Sequence, residues 1–156
     1  MRFCIAIAMI SLNVSTAVAQ GKLSARIARQ IIDGCVSHAT RKNQSHAIAV
    51  YDDGGHPIAL LRMDGNAPGV ADFAMRKAAA VAHWRFSTAD MAEAARTTPG
   101  FDRAPHVVTV AGGVPIFAPD GREFLGAVGV SGESPGDDVA CAEAGIAAAG
   151  FLTKRK

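Results

Sequence analysis

The sequence predicts a small α/β domain of the α+β type, in which helices cover one antiparallel sheet. Strand-like runs occur in two groups, and short glycine-rich turns join the runs inside each group, as in hairpins. Helical patterns precede, separate and follow these groups. Hairpin links exclude a doubly wound parallel fold, because parallel strands need long crossovers. The 137 residues that follow position 19 suit one domain with one core.

Hydrophobic periodicity and turn residues place the individual elements. Apolar residues recur at every fourth position from Leu23 to Ala39, which predicts an amphipathic first helix. Ser87 or Thr88 is expected to cap a short third helix. The predicted order is helix 23–41, strands 46–53 and 56–63, helices 70–85 and 89–96, strands 106–110, 114–118 and 123–130, and helix 138–152. The sheet therefore has five predicted strands.

The first 19 residues have the pattern of a secretory signal peptide. Arg2 precedes an apolar run over 3–12, and Ala17-Val18-Ala19 provides small residues at the expected cleavage site. The run is too short for a membrane span. We therefore expect a periplasmic or secreted domain comprising residues 20–156, with no transmembrane segment in the mature chain.

Charge and cysteine content narrow the function classes. Loss of Arg2 with the leader lowers the formal net charge from +2 to +1, which gives no large field for nucleic acid. The basic run at 154–156 is interpreted as a solvated tail. Cys35 and Cys141 remain after processing, and an oxidising compartment permits a disulfide between them. Two buried free thiols are the alternative.

The helix over 70–85 is apolar on nearly every side. The polar side chains that interrupt it are mainly Asp72, Arg76, Lys77 and His83. Such a helix needs more cover than one sheet face provides. In a domain this small, a second subunit can supply that cover, so a homo-oligomer is expected.

The turn after the last predicted strand, "GVSGESPGDD", does not have the pattern of a catalytic loop. Glu133 stands where a nucleophile elbow requires glycine, and no lysine follows the glycines as in a phosphate-binding Walker loop. Its glycines permit a bend, and Asp137 or Asp138 is expected to cap the final helix.

The five histidines form no dense metal-binding motif, but a haem site needs only one axial side chain and an apolar wall. His83 is the first candidate for the iron ligand, because it lies beside Trp84 on the apolar helix. His106 is the second, since it begins a predicted strand after a loop. The alternative ligands are Tyr51, Thr109, Met63 and Met75.

Lys77 is a charged residue on the same apolar helix. If solvated, it extends its ammonium group to water along an apolar stem. If buried, it needs a carboxylate or an anionic ligand, and Asp64 is the nearest candidate in sequence.

Four segments together resemble the GlcG/HbpS-type haem-binding family, which also includes the C-terminal domain of PduO-type proteins. In chain order they are "AVYDDGGHPIALLRMDG", "FAMRKAAAVAHWRFSTADM", "GGVPIFAPDGREFLGAVGVSG" and "DDVACAEAG". The resemblance covers nearly all of the predicted mature chain. Residues 133–137 depart from it, because relatives commonly have a second glycine and an amide there.

The resemblance implies a profilin-like antiparallel sheet flanked by helices, homo-oligomers, and haem binding with haem degradation in exported members. It also implies service as an accessory to a membrane sensor kinase. Two alternatives remain open: a module that binds a non-haem small molecule such as an organic acid or corrinoid, and a structural partner of a membrane sensor. No catalytic residue is assigned by the resemblance.

Overall fold

The structure, a computed structural model, describes residues 22–156. The expected leader and its cleavage site lie outside these residues. The helices are α1 (Ala25–Arg41), α2 (Pro68–Trp84), α3 (Thr88–Thr97) and α4 (Pro135–Ala148), and the strands are β1 (Ala47–Asp52), β2 (Pro57–Arg62), β3 (Gly113–Phe117) and β4 (Phe124–Ser131). None of the helices in this part of the chain is long and apolar enough to span a bilayer.

The strands form one antiparallel sheet in the order β2-β1-β4-β3. The described chain therefore has four strands, and the expected strand at 106–110 is wrong. That segment lies in the loop before β3, and His106 has a left-handed backbone with φ of 61°. The backbone groups on the outer edge of β3, with which such a strand would pair, also have other partners. Gly113 N–H donates to Thr88 Oγ1, and Phe117 pairs with Leu152.

Helices cover both faces of the sheet. Helices α1 and α4 pack together over one face, where Ile48 and Val50 of β1 join their hydrophobic core. Helix α2 packs over the other face, against the small side chains of Ala47 and Ala49. Successive residues of a strand point to opposite faces, so residues 47–51 of β1 contribute alternately to the two cores.

A disulfide joins Cys35 of α1 to Cys141 of α4. Both cysteines are fully buried, and the bridge closes a loop with a sequence separation of 106 residues. Loops of this length give a large entropic stabilisation, about 4–5 kcal/mol in the chain-entropy treatment. The disulfide therefore links the two helices that cover the same sheet face.

The N-terminus of α4 differs from the expected one. The helix begins at Pro135, and Ser134 is its cap, because the Ser134 hydroxyl accepts a hydrogen bond from the Asp137 backbone N–H. A proline is well tolerated at the first helical position, where the backbone N–H has no helical acceptor. Asp137 receives a hydrogen bond from the Ser134 hydroxyl, whereas the Asp138 side chain points into the protein.

Lys77 and Asp138 form a buried ion pair between α2 and α4. Their side chains are 1% and 3% exposed, and Lys77 Nζ lies 2.8 Å from Asp138 Oδ2. The ammonium group also donates to the Val130 carbonyl oxygen at 2.8 Å. The other carboxylate oxygen accepts hydrogen bonds from His46 Nδ1 and from the Glu133 backbone N–H. Asp138, not Asp64, is thus the carboxylate beside Lys77.

Gly112 makes this arrangement sterically possible. Its φ of 128° lies in the region that favours glycine, and an added Cβ would lie 2.6 Å from Lys77 Nζ. The same Cβ would lie 2.5 Å from the Val130 carbonyl oxygen. The residue that precedes β3 must therefore have no side chain if the ammonium group is to reach its two partners.

We expect Lys77→Met to destabilise the protein by about 3–5 kcal/mol, because it leaves the Asp138 carboxylate buried without its cation. Urea denaturation followed by circular dichroism measures the change. The matched control is Lys42→Met, since Lys42 pairs with Asp137 at an exposed position. The control should leave the unfolding midpoint close to that of the parent protein. A Lys77→Met midpoint equal to that of the control would contradict a structural role for the ion pair.

Candidate functional site

Two histidines meet on an exposed face formed by the last turn of α2 and the loop before β3. The rings of His83 and His106 are stacked, with centroids 4.0 Å apart and an angle of 9° between their planes. Both residues are exposed. The rings are nearly parallel, so the lone pairs of their nitrogens cannot converge on one metal ion. Only one of the two imidazoles can therefore ligate a given metal in this arrangement.

A backbone hydrogen bond determines the tautomer of His83. His83 Nδ1 lies 2.7 Å from the carbonyl oxygen of Ala79, one helical turn earlier. A carbonyl oxygen only accepts hydrogen bonds, so Nδ1 must carry the proton. In the neutral ring, Nε2 then has the free lone pair. This is a common arrangement for histidines that bind metals, in which the second nitrogen donates to a backbone carbonyl.

The β1–β2 hairpin lies against the His83 ring. A Cβ added to Gly55 would lie 2.9 Å from His83 Cε1, so the hairpin backbone approaches the imidazole as closely as a glycine permits. Gly55 has φ of 82°, which a side chain would also disfavour. The glycine thus serves both the turn and the contact with His83.

Trp84 holds the loop that carries His106. Its indole Nε1 donates to the Pro105 carbonyl oxygen at 3.0 Å, and its ring packs edge-on against Phe101 at a centroid distance of 5.1 Å. The side chain remains 37% exposed. Trp84 therefore positions the residue before His106 and contributes apolar surface beside the two imidazoles.

A shallow depression of about 310 Å³ lies farther along the same helix. It is lined by Tyr51, Asp72, Met75, Arg76 and Ala79. Its four α2 residues precede His83 by 4, 7, 8 and 11 positions, which at 3.6 residues per turn places them on the same face of the helix as His83. The face is mixed in character, with apolar surface at its centre and the charged side chains exposed.

The structure brings together three of the five residues singled out in the sequence. His83, His106 and Trp84 share the exposed face, whereas Lys77 is buried on another side of α2 with Asp138. Asp64 lies in the loop after β2, where its backbone carbonyl accepts a hydrogen bond from the Ser45 hydroxyl. Within residues 22–156, no group of three or more metal-ligating side chains is present.

The other candidate ligands are placed less favourably. Tyr51 is only 8% exposed, and burial raises the pKa of its phenol, which disfavours the phenolate that binds iron. The Met63 sulfur lies 3.5 Å from the His46 backbone nitrogen and packs beside the α1–α4 core. Thr109 lies exposed in the loop before β3, and Met75 lines the depression.

Gly55 and Arg76 belong to this face, although the sequence alone does not identify either of them as a site residue. The sequence places Gly55 in a hairpin turn, and no local pattern shows that this turn contacts a helix about 30 residues away. Arg76 stands out in the sequence only as a charge on an apolar helix. Its seven-residue spacing from His83, two turns of helix, is the signal that could have placed both on one face.

The comparisons with known proteins agree with this architecture. The family model described as "Haem degrading protein HbpS-like" matches residues 23–147. Protein GlcG of Escherichia coli K12 is 42% identical over 112 residues, which is 70% of this chain and 81% of GlcG.

Solved structures show the same fold. A double mutant of HbpS from Streptomyces reticuli has 27% identity and a TM-score of 0.75, over 92% of this chain and 97% of that one. A PduOC–haem complex has 23% identity and a TM-score of 0.78, over 86% and 99% of the two chains. The resemblance found in the sequence is thus confirmed: this chain belongs to the HbpS-like family.

Proposed function

We propose that this protein binds haem on the exposed face of α2, with Nε2 of His83 as the iron ligand. The observation that carries the proposal is the hydrogen bond from His83 Nδ1 to the Ala79 carbonyl oxygen, which leaves Nε2 available. A haem site requires one such axial nitrogen together with apolar surface for the macrocycle.

The residues around His83 have distinct roles in this proposal. His106 and Gly55 limit rotation of the imidazole from two sides. Trp84 and Met75 provide apolar surface for the porphyrin. Arg76 supplies a positive charge about 10 Å along the helix from His83, on the same face, for the propionate groups. Bound haem supplies an iron centre for ligand or redox chemistry.

The relatives support the ligand class. The matching family model is described as haem-degrading, and a structural neighbour is a complex with haem. Degradation requires more than binding, because a reductant and dioxygen must reach the iron. Loss of the Soret band together with iron captured by a ferrous chelator, at a rate above that of free hemin, distinguishes degradation from binding.

We further propose that the protein is exported. The support is the signal-peptide pattern in residues 1–19 together with the Cys35–Cys141 disulfide, since disulfides persist in oxidising compartments. An exported haem-binding protein can also serve as an accessory to a membrane sensor kinase, as the family resemblance implies.

A homo-oligomer remains part of the proposal, although the surface involved is narrower than the sequence indicated. Ala80 and Val81 are fully buried inside the subunit, so this side of α2 is covered without a partner. Met75 and Ala79 are half-buried, and they are the apolar part of the exposed face. Contact between subunits through α2 must therefore involve Ala79 and its neighbours.

Replacing His83 with alanine should remove the Soret shift of added hemin and weaken hemin binding at least about tenfold, because the iron loses its nitrogen ligand. His106→Ala should keep the position of the Soret band and weaken hemin binding less, since the His106 ring packs against the His83 imidazole and does not ligate the iron. Spectrophotometric hemin titration measures both effects.

The matched control is His56→Ala, because His56 is exposed on the hairpin next to Gly55. It should titrate like the parent protein. An unchanged spectrum in His83→Ala, with the fold verified by circular dichroism, would show that His83 is not the ligand. No hemin-induced Soret change in the parent protein would refute haem binding itself.

The exported protein should begin at Gln20, because cleavage is expected after Ala19. Intact-mass measurement of the protein from the periplasm or medium determines the N-terminus. Alkylation under denaturing conditions should label neither Cys35 nor Cys141 unless a reductant is added. A cytoplasmic chain that retains Met1, or cysteines that react without reductant, would contradict export.

Replacing Ala79 with glutamate should shift the assembly toward monomers, because a charge is placed in an apolar contact. Light scattering of the haem-free protein at micromolar concentration gives the mass. Ala147→Glu is the matched control, since Ala147 is an exposed alanine on α4. Ala79→Glu with the parent mass, or a monomeric parent protein, would exclude this interface.

A further inference from the structure

A second cavity lies away from the two stacked histidines. Its volume is about 440 Å³, and it lies between the first turn of α3, strand β3, helix α4 and the C-terminal segment. Neither His83 nor His106 lines it. This volume falls within the range of small-molecule sites, so the cavity is large enough for a small organic ligand.

The floor of this cavity is apolar. Val114, Pro115 and Phe117 of β3 are buried and form part of its lining, and Phe86 and Val139 are half-buried at its sides. An apolar floor favours a ligand with a hydrocarbon body, because contact with it removes nonpolar surface from water.

The rim of the cavity carries three cations: Arg85, Lys154 and Arg155. All three are exposed, and no ion pair within 4.0 Å connects any of them to an acidic side chain in the described part of the chain. The guanidinium group of Arg85 lies 5.5 Å from the centroid of the Phe124 ring, which holds it near the cavity.

The backbone of the C-terminal segment is held at both ends, while the side chains of residues 154–156 are exposed to solvent. Leu152 pairs with Phe117 through two backbone hydrogen bonds, and the Lys156 N–H donates to the Gly121 carbonyl oxygen. Lys154 and Arg155 lie between these two points. Their backbone is therefore fixed beside the cavity.

Two carboxylates also line the cavity, and they limit the charge of a ligand. Asp90 accepts a hydrogen bond from the Ser87 hydroxyl at the start of α3, so it is already partnered. Glu143 is exposed on α4. With three cations against two carboxylates, the rim has an excess of one positive charge, which matches a monoanion better than a dianion.

We propose that this cavity binds a monocarboxylate with a hydrocarbon tail, of the size of a medium-chain fatty acid. The tail contacts the apolar floor, and the carboxylate meets Arg85 and Lys154 at the rim. Arginine binds carboxylates through two parallel N–H donors, which gives such a site preference for an acid over a neutral analogue.

Isothermal titration calorimetry with octanoate and 1-octanol tests the proposal, because the two probes share the tail and differ in the charge. The parent protein should bind octanoate about tenfold more tightly than 1-octanol. Arg85→Gln and Lys154→Gln should each weaken octanoate binding about fivefold to tenfold and leave 1-octanol binding unchanged. Arg41→Gln, an exposed arginine on α1, is the matched control and should bind both as the parent does.

Val139→Phe gives an independent check, since the larger ring should fill the cavity and weaken the binding of both probes. Hemin titration of Arg85→Gln should equal that of the parent, which keeps this site distinct from the proposed haem site. The proposal is overturned if octanoate does not bind, if 1-octanol binds equally well, or if Arg85→Gln binds octanoate like Arg41→Gln. Loss of hemin binding in Arg85→Gln would likewise overturn it as a separate site.

Discussion

The buried ion pair between Lys77 and Asp138 is the interaction on which the arrangement of layers depends. Lys77 belongs to the helix on one face of the sheet and Asp138 to a helix on the other, so their contact fixes both helices relative to the end of β4. The Val130 carbonyl and His46 complete the hydrogen bonds of the pair. A buried pair is stable only when such additional hydrogen bonds satisfy it.

The pair also relates the core to the exposed face of α2. When Lys77 points inward, Arg76 and His83 point toward solvent, because they lie about 100° and about 120° around the helix axis from Lys77. The rotation of α2 about its axis is therefore set by a contact that lies inside the protein. The histidine stack depends on that rotation as much as on its own contacts.

Local patterns in the sequence are sufficient to predict the four helices and the four strands that the described chain contains. The apolar stripe of α1 and the two hairpins depend on residues close together in the chain, and such patterns can be read directly. The strand expected at 106–110 has the right composition, but the edge it would need is occupied by Thr88 and Leu152. Occupancy of an edge is a property of the folded chain, so periodicity does not reveal it.

In the candidate site, too, the sequence predicts features that depend on neighbouring residues and misses features that depend on distant ones. The helix that carries His83 and its neighbour Trp84 are local features, so the sequence identifies His83. Asp64 is the carboxylate nearest to Lys77 in the expected loop, but the actual partner, Asp138, is 61 residues away. The sequence predicts Asp138 as a candidate helix cap, a role that Ser134 fills. The tautomer of His83 depends on ring orientation, which no sequence pattern specifies.

The edge of β3 has a consequence for how these molecules can associate. The Gly112 carbonyl accepts a hydrogen bond from the Val130 N–H, so the backbone of residue 112 faces β4. Backbone groups alternate in direction along a strand, and those of residues 113, 115 and 117 therefore face away from β4, at the outer edge of the sheet. The N–H groups of Gly113 and Phe117 are already bonded, and Pro115 has none. An incoming strand would find no free donor there, so this edge is protected against amyloid-like stacking and domain-swapped pairing. Extension of the sheet between molecules would have to occur at β2, where Leu60 and Leu61 are exposed.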